Sequence, residues 1–496
     1  MEIVLGPILR LRAVEPDPAH WRVSVLVVVD GAAPPTLHWA SNARASCAAP
    51  LLLATQDGKS VWTIELRVAR GPTAAEVEYH LGGAASWRFT VPATSERPRM
   101  VYASCCGFAT MKTAKSVSEP FALWREVSVA HVETPYHLML LGGDQVYADP
   151  LWETVDELEA WSQSGSFLAD VTPMSAGLAA KVERFYFELY CKRWAEPQIA
   201  AVLATIPTLM MWDDHDIFDG WGSHPPARQR SPMFQGIFAA ARRWFCVFQL
   251  QRRFEAATEE FIAAGPNLGY AHRIDDLAIV ALDLRSERST SQVMSPAAWD
   301  AAFKWIDRQE GLTHLIVMTS IPVVYVDLGA VEDALGFMPG QQELEDDLRD
   351  HWSSRGHHGE RLRLIHRLLD FGKARATRVT IVSGDVHVGA LGLIESTREG
   401  TPQTIPQLIS SGIVHPPAAA IVVYALDKLF AAGGVIDRGI ELSMQPLPGS
   451  KRRLLAARNW LSLEPDLGWE TSRKRLWANW HAEREMEPYT KVIHPQ

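Results

Sequence analysis

The 496-residue sequence predicts an α/β protein: a β-sandwich of the immunoglobulin-like kind over residues 1–95, then a layered α/β domain over residues 99–496. Two observations carry this. Short β-rich runs separated by turn clusters fill the first part, as in a sandwich. Beyond residue 99, buried-strand patterns alternate with helical ones, the signature of an α/β architecture. At about 150 residues per domain the length allows two or three domains.

The elements follow in order. WRVSVLVVVD, SVWTIELRVA, AEVEYHL and SWRFTVP read as strands, divided by DGAAPP, QDGK and LGGAAS. PATSERP, residues 92–98, reads as the linker. Apolar runs of strand length then recur at 100–104 (MVYAS), 136–141 (YHLMLL), 207–212 (PTLMMW), 277–284 (LAIVALDL), 313–320 (THLIVMTS) and 378–383 (RVTIVS). Between them VDELEAW, AAKVERFYFELYCKRWAEP, FQGIFAAARRWFCVFQLQRRF, AAWDAAFKWIDRQE and ERLRLIHRLLDFG read as helices. The helical insertions at 150–205 and 225–265 are expected to wall a crevice. Residues 416–496 are expected to hold a further helix and a Trp-rich tail.

Charge narrows the function classes. The 48 basic and 58 acidic side chains leave a net charge of −10, which argues against a nucleic-acid coat. An anionic substrate stays open, because bound cations reverse the local sign. The five cysteines, Cys47, Cys105, Cys106, Cys191 and Cys246, are odd in number and scattered, so no disulfide framework is expected. The first residues, MEIVLGPILRLRAVEP, lack a basic region ahead of an apolar one, so no secretory signal is expected and the location is read as cytoplasmic. Apolar stretches at 311–330 and 417–436 are broken by charged residues, so no membrane span is expected. Nothing in the sequence sets an oligomeric state.

The chemistry lies at the strand ends. SCCG carries Cys105 and Cys106; GGDQVYAD carries Asp144, Tyr147 and Asp149; WDDHD carries Asp213, Asp214, His215 and Asp216. DLRSER carries Asp283, Arg285 and Arg288, and SGDVHVG carries Asp385 and His387. Ligands of α/β sheets bind outside the carboxyl ends of strands, so these five loops can converge. Carboxylates gathered in one crevice repel one another unless they are protonated or bind cations. Carboxylate, imidazole, phenolate and thiolate together suit one or two transition-metal ions with a harder divalent ion alongside. Such a pair activates water and neutralises both ends of an in-line displacement at phosphorus.

GGDQVYAD, WDDHD and SGDVH, in this order and each after a strand, resemble the PhoD-like alkaline phosphatases of the calcineurin-like metallophosphoesterase superfamily. The resemblance implies a four-layered α/β/β/α sandwich with a two-metal centre. It matches Cys105 to a thiolate ligand, Asp144 to the carboxylate bridging the metals and Tyr147 to the phenolate ligand of a ferric ion. Asp214 and Asp385 match ligands of the second metal, and His387 a ligand of the first. His215 matches the residue that contacts the phosphoryl group and protonates the leaving oxygen, and Arg285 falls near the substrate. The implied reaction is hydrolysis of a small phosphate ester, monoester or diester, by a metal-bound hydroxide. The implied ions are Fe3+ and Ca2+, with zinc, manganese and magnesium also compatible. Two departures bear on the metal: TSIPVVY lacks the superfamily's histidine, and Asp replaces His at 385 and Asn at 214. Those harder donors favour calcium at the second position.

Other readings follow from the same residues. Cys105 or Cys106 paired with His215 or His387 would make a cysteine-nucleophile hydrolase. A structural or sensory metal site would make a non-catalytic protein. Asp213 competes with Asp214 as a ligand. Asp149 and Asp216 read as supporting or capping residues, His357 and His358 as loop or first-turn residues, and His415, after SSG, as a neighbour of the site.

Overall fold

The computed structural model describes residues 2–496 apart from 14–16, 95, 164–168, 255, 257–259, 326–351, 353–355, 401, 420–422, 425, 428–432 and 467–473. The fold is mixed α/β with several sheets. Every apolar run expected to be a strand after residue 99 is one: Met100–Ala103, Leu138–Gly142, Thr208–Met211, Leu277–Ala281, His314–Thr319 and Arg378–Ser383. The first three are parallel neighbours in an 11-stranded sheet. The last three are parallel neighbours in a nine-stranded sheet. Within each trio the carboxyl ends therefore share one edge, where the polar loops begin.

Side-chain alternation sorts the faces of the second sheet. Ile279, Ile316, Met318 and Val382 join the core that contains the first sheet. Ala278, Val280, Leu315, Val317 and Ile381 join a second core with Trp299 and Phe303 of helix Pro296–Asp307 and Leu364 and Leu368 of helix His358–Arg375. A strand presents alternate residues to opposite faces, so one buried run serves both cores. Helices Pro232–Phe248 and Pro296–Asp307 begin at Ser-Pro pairs. The Ser231 and Ser295 hydroxyls accept from the amides of Phe234 (3.3 Å) and Ala298 (3.2 Å), satisfying donors the first turn leaves open.

The first sheet also crosses the expected linker. Ile3–Leu11 lies parallel to Thr208–Met211 through the pair Arg10 and Thr208, and His20–Asp30 and Lys59–Ala69 continue the sheet outward. A separate three-stranded sheet, His38–Ser41, Ala75–His80 and Trp87–Val91, packs on the same core. Arg10, fully buried, bonds Glu260 at 2.8 Å. Burial alone would raise the Glu260 carboxyl, but Arg10 and Arg12 hold it well below the usual carboxylate range.

The Trp-rich tail is β-structure. Asn459–Pro465, Leu476–Ala482 and Tyr489–Ile493 extend the first sheet beside Met100–Ala103, with Trp460 and Trp480 buried. The helix expected after residue 416 falls largely outside the described residues. Among the described residues, no helix is long and apolar enough to cross a membrane.

Candidate metal centre

The five polar loops meet. Ligand atoms of Asp144, Asp214 and His215 lie within 4.8 Å of one another, as do those of Asp213, Asp214 and Asp385. Asp214 belongs to both groups and joins them. Cys105 Sγ lies 3.5 Å from Asp144 Oδ2, and the Tyr147 hydroxyl lies 3.4 Å from His387 Nε2. Seven of the eight residues that the resemblance singles out thus gather at one place, and the eighth, Arg285, lies against them. Cys106 turns away, its thiol 3.3 Å from Gln145 Oε1.

Backbone conformation aims these side chains. Cys105 (φ 55°), Asp144 (57°), Asp385 (71°) and His387 (51°) all occupy the left-handed region. That region costs a non-glycine residue about 1–2 kcal/mol, so four neighbouring cases mark a constrained site. Gly143 (φ 115°) precedes Asp144, and a Cβ there would meet the Asp213 Cβ at 2.8 Å. Two loops that must touch at that point leave no room for a side chain.

Asp216 ties the loops together. Its carboxylate accepts from the amides of Asp144 (2.8 Å), Gln145 (3.1 Å), Val146 (3.1 Å) and Asp213 (3.0 Å), and from Gln249 Nε2 (3.0 Å). Replacing Asp216 by Ala strands these buried donors, and a loss of about 3–5 kcal/mol is expected, measured as a lowered urea midpoint. Asn, which keeps one acceptor, should cost less.

Asp149 orients His215. Its Oδ2 lies 2.8 Å from Nδ1, and its Oδ1 accepts from the Asp219 amide at 2.9 Å. This places the Nδ1 proton on the Asp149 side and leaves Nε2 for the crevice. The His215 ring stacks on Tyr147 at 4.3 Å. Burial opposes the charged imidazole, but Asp149 and Asp214 outweigh it and raise its pKa.

Arg285, expected near the substrate, lies against the acidic residues themselves. It is fully buried, paired with Asp213 and, at 3.3 Å, with Asp214, and it donates to the Trp221 carbonyl at 3.1 Å. The guanidinium is a countercharge within the acidic floor, since a buried charge left unpaired is costly. It also binds Asp213 more closely than Asp214, leaving Asp214 the carboxylate shared between the two acidic groups.

The donor set fits cations. Among the described residues, buried Asp144 Oδ1 has no hydrogen-bond partner. Burial, reinforced by Asp213, Asp214 and Asp216, pushes the Asp144 carboxyl well above its usual range. Burial also raises the Cys105 thiol, helped by Asp144, and the Tyr147 phenol. Burial lowers the His387 imidazole. The raised groups are donors lacking the positive charge that would reverse their shifts, while the lowered His387 is already the neutral imidazole a cation binds. The shifts also oppose a cysteine nucleophile, which needs a depressed thiol pKa and access, whereas Cys105 is wholly buried.

A family model described as PhoD related phosphatase matches residues 73–338 and 334–431. The chain belongs to the PhoD related phosphatase family. An uncharacterized protein of Saccharomyces cerevisiae, YGR266W, is 28% identical over 366 residues, 62% of this chain and 52% of the yeast protein. The chain therefore spans about half the length of that relative. A solved structure of PhoD superposes with a TM-score of 0.54 at 11% identity, covering 99% of this chain and 90% of that one. That likeness is one of fold.

Several residues of this PhoD-related site were visible only as bystanders. Asp149, Asp216 and His415 sit within or near motifs and were read as supporting groups. Gln249, at the C-terminal end of helix Pro232–Phe248, carries no sequence signal, because its partner Asp216 lies 33 residues away. His357, by contrast, is simply buried: it contacts the Ser289 carbonyl at 2.8 Å and precedes the helix that begins at His358.

Proposed function

We propose that this PhoD-related phosphatase is a metal-dependent phosphoesterase acting on small phosphate monoesters or diesters. One observation carries the reading: two acidic groups share Asp214 while the fully buried Asp144 leaves Oδ1 unpartnered among the described residues. Cys105, Asp144, Tyr147 and His387 would hold the first ion, with ferric iron suited to the thiolate and phenolate. Asp214 and Asp385, with Asp144 between the sites, would hold a harder ion such as calcium. Ions bound there would lower the pKa of water and absorb charge at phosphorus.

The chain's own groups supply the rest. His215, held at Nδ1 by Asp149, presents Nε2 toward the crevice to hand a proton to the departing oxygen. Arg285 fixes Asp213 and offsets the repulsion between it and Asp214. The supporting architecture is a four-layer α/β/β/α sandwich after an immunoglobulin-like β-sandwich over residues 1–95; the two hydrophobic cores flanking the second sheet favour it. A cytoplasmic setting agrees with five cysteines that form no disulfide among the described residues.

Elemental analysis and a monoester-against-diester assay on one chelator-free preparation test this. Activity should fall at least tenfold on stripping with a strong chelator and return with iron and calcium together. A metal-replete protein that turns over no ester of either class would sink the catalytic reading.

A further inference from the structure

His415 belongs to none of the motifs that carry the resemblance, yet it touches three of the four groups assigned to the first ion. Its amide donates to the Cys105 carbonyl at 3.2 Å. Its ring lies 3.7 Å from that of His387, with 24° between the planes, and 5.9 Å from Tyr147 at 12°. Its Nδ1 sits 2.8 Å from the Pro416 carbonyl. A carbonyl only accepts, so Nδ1 carries the proton and the ring plane is locked. Gly412 (φ 78°) makes the turn that brings this segment back, and a Cβ there would strike the His415 carbonyl oxygen at 2.4 Å.

A metal-binding histidine is ordinarily oriented by a hydrogen bond to its second ring nitrogen. Among the described residues, no such bond reaches His387 Nδ1; the His387 ring meets the Tyr147 hydroxyl through Nε2 and the His415 ring through its face. Tyr147 lies between two imidazoles, His215 at 4.3 Å and His415 at 5.9 Å. Beyond their mutual contact, stacked ring faces therefore set the planes of both ligands.

We propose that His415 is a positioning residue whose ring is the stacking wall that fixes the Tyr147 phenol and the His387 imidazole for a shared metal ion. This rests on reading those two residues as ligands. Lost outer contacts of this kind typically cost about 10–100-fold in metal affinity.

The test is Co2+ titration of the metal-free full-length protein, followed by its visible absorption, with melting of each metal-free variant alongside. His415→Leu fills the space without a flat ring and should weaken Co2+ binding about 10–100-fold with an altered spectrum. His415→Ala should do the same. His415→Phe restores a stacking face and should bind within a few-fold of wild type. The proposal is overturned if His415→Leu binds Co2+ with wild-type affinity and spectrum, or if His415→Phe falls as far as His415→Leu. Failure of the wild-type protein itself to bind Co2+ would instead strike at the metal site.

Discussion

Asp144→Asn should lower ester turnover by about 10³-fold, the upper range for a single electrostatic group, and should release metal on dialysis. The reason is geometric. Ligand atoms of Asp144, Asp214 and His215 lie within 4.8 Å of one another, Asp144 Oδ2 is 3.5 Å from Cys105 Sγ, and its Oδ1 has no donor among the described residues. An amide keeps the shape but removes the charge that cations would bridge. The Asp144 amide, which donates to Asp216 at 2.8 Å, is untouched by the substitution, so the loop and the fold should persist. Metal content and turnover measured on one sample check this. A variant that retained both would mean that Asp144 bridges nothing.

His215→Ala should discriminate between substrates. Esters with poor alcohol leaving groups need a proton donor, and general acid catalysis is worth about 10²–10⁴-fold to them. p-Nitrophenyl esters leave as stable anions and should slow only a few-fold. Asp149→Asn should reproduce a weaker form of this pattern, because it loosens the 2.8 Å contact that fixes the His215 tautomer. The slope of log kcat against leaving-group pKa separates the cases. An unchanged slope in His215→Ala would remove it as the acid.

Much of this site was readable before any coordinates. GGDQVYAD, WDDHD and SGDVH each follow a buried run, and those runs are strands. Consecutive residues hold that information, since a buried strand needs an unbroken apolar segment and its polar exit marks where the chain leaves the sheet. The N-terminal boundary was less readable. A linker composition at 92–98 is local, but the pairing of Ile3–Leu11 with Thr208–Met211 joins residues some two hundred positions apart. Strand order across a sheet leaves no trace in nearby residues. The Trp-rich tail was unassigned for a similar reason: the strand carrying Trp460 finds its partner in distant Met100–Ala103, and the strand carrying Trp480 pairs onto it.

Residue chemistry and the strands that carry it were thus settled by the sequence alone: an α/β chain whose strand ends carry acids, a thiol, a phenol and imidazoles. Tertiary structure decided which of these meet. It made Asp214 common to both acidic groups, turned Arg285 inward against Asp213 and Asp214, gave His215 its Asp149 partner and laid His415 across His387. Those outcomes depend on how two sheets stack and on four left-handed backbone turns at Cys105, Asp144, Asp385 and His387. Packing of distant segments supplies the energy that holds such turns, so no local pattern can announce them.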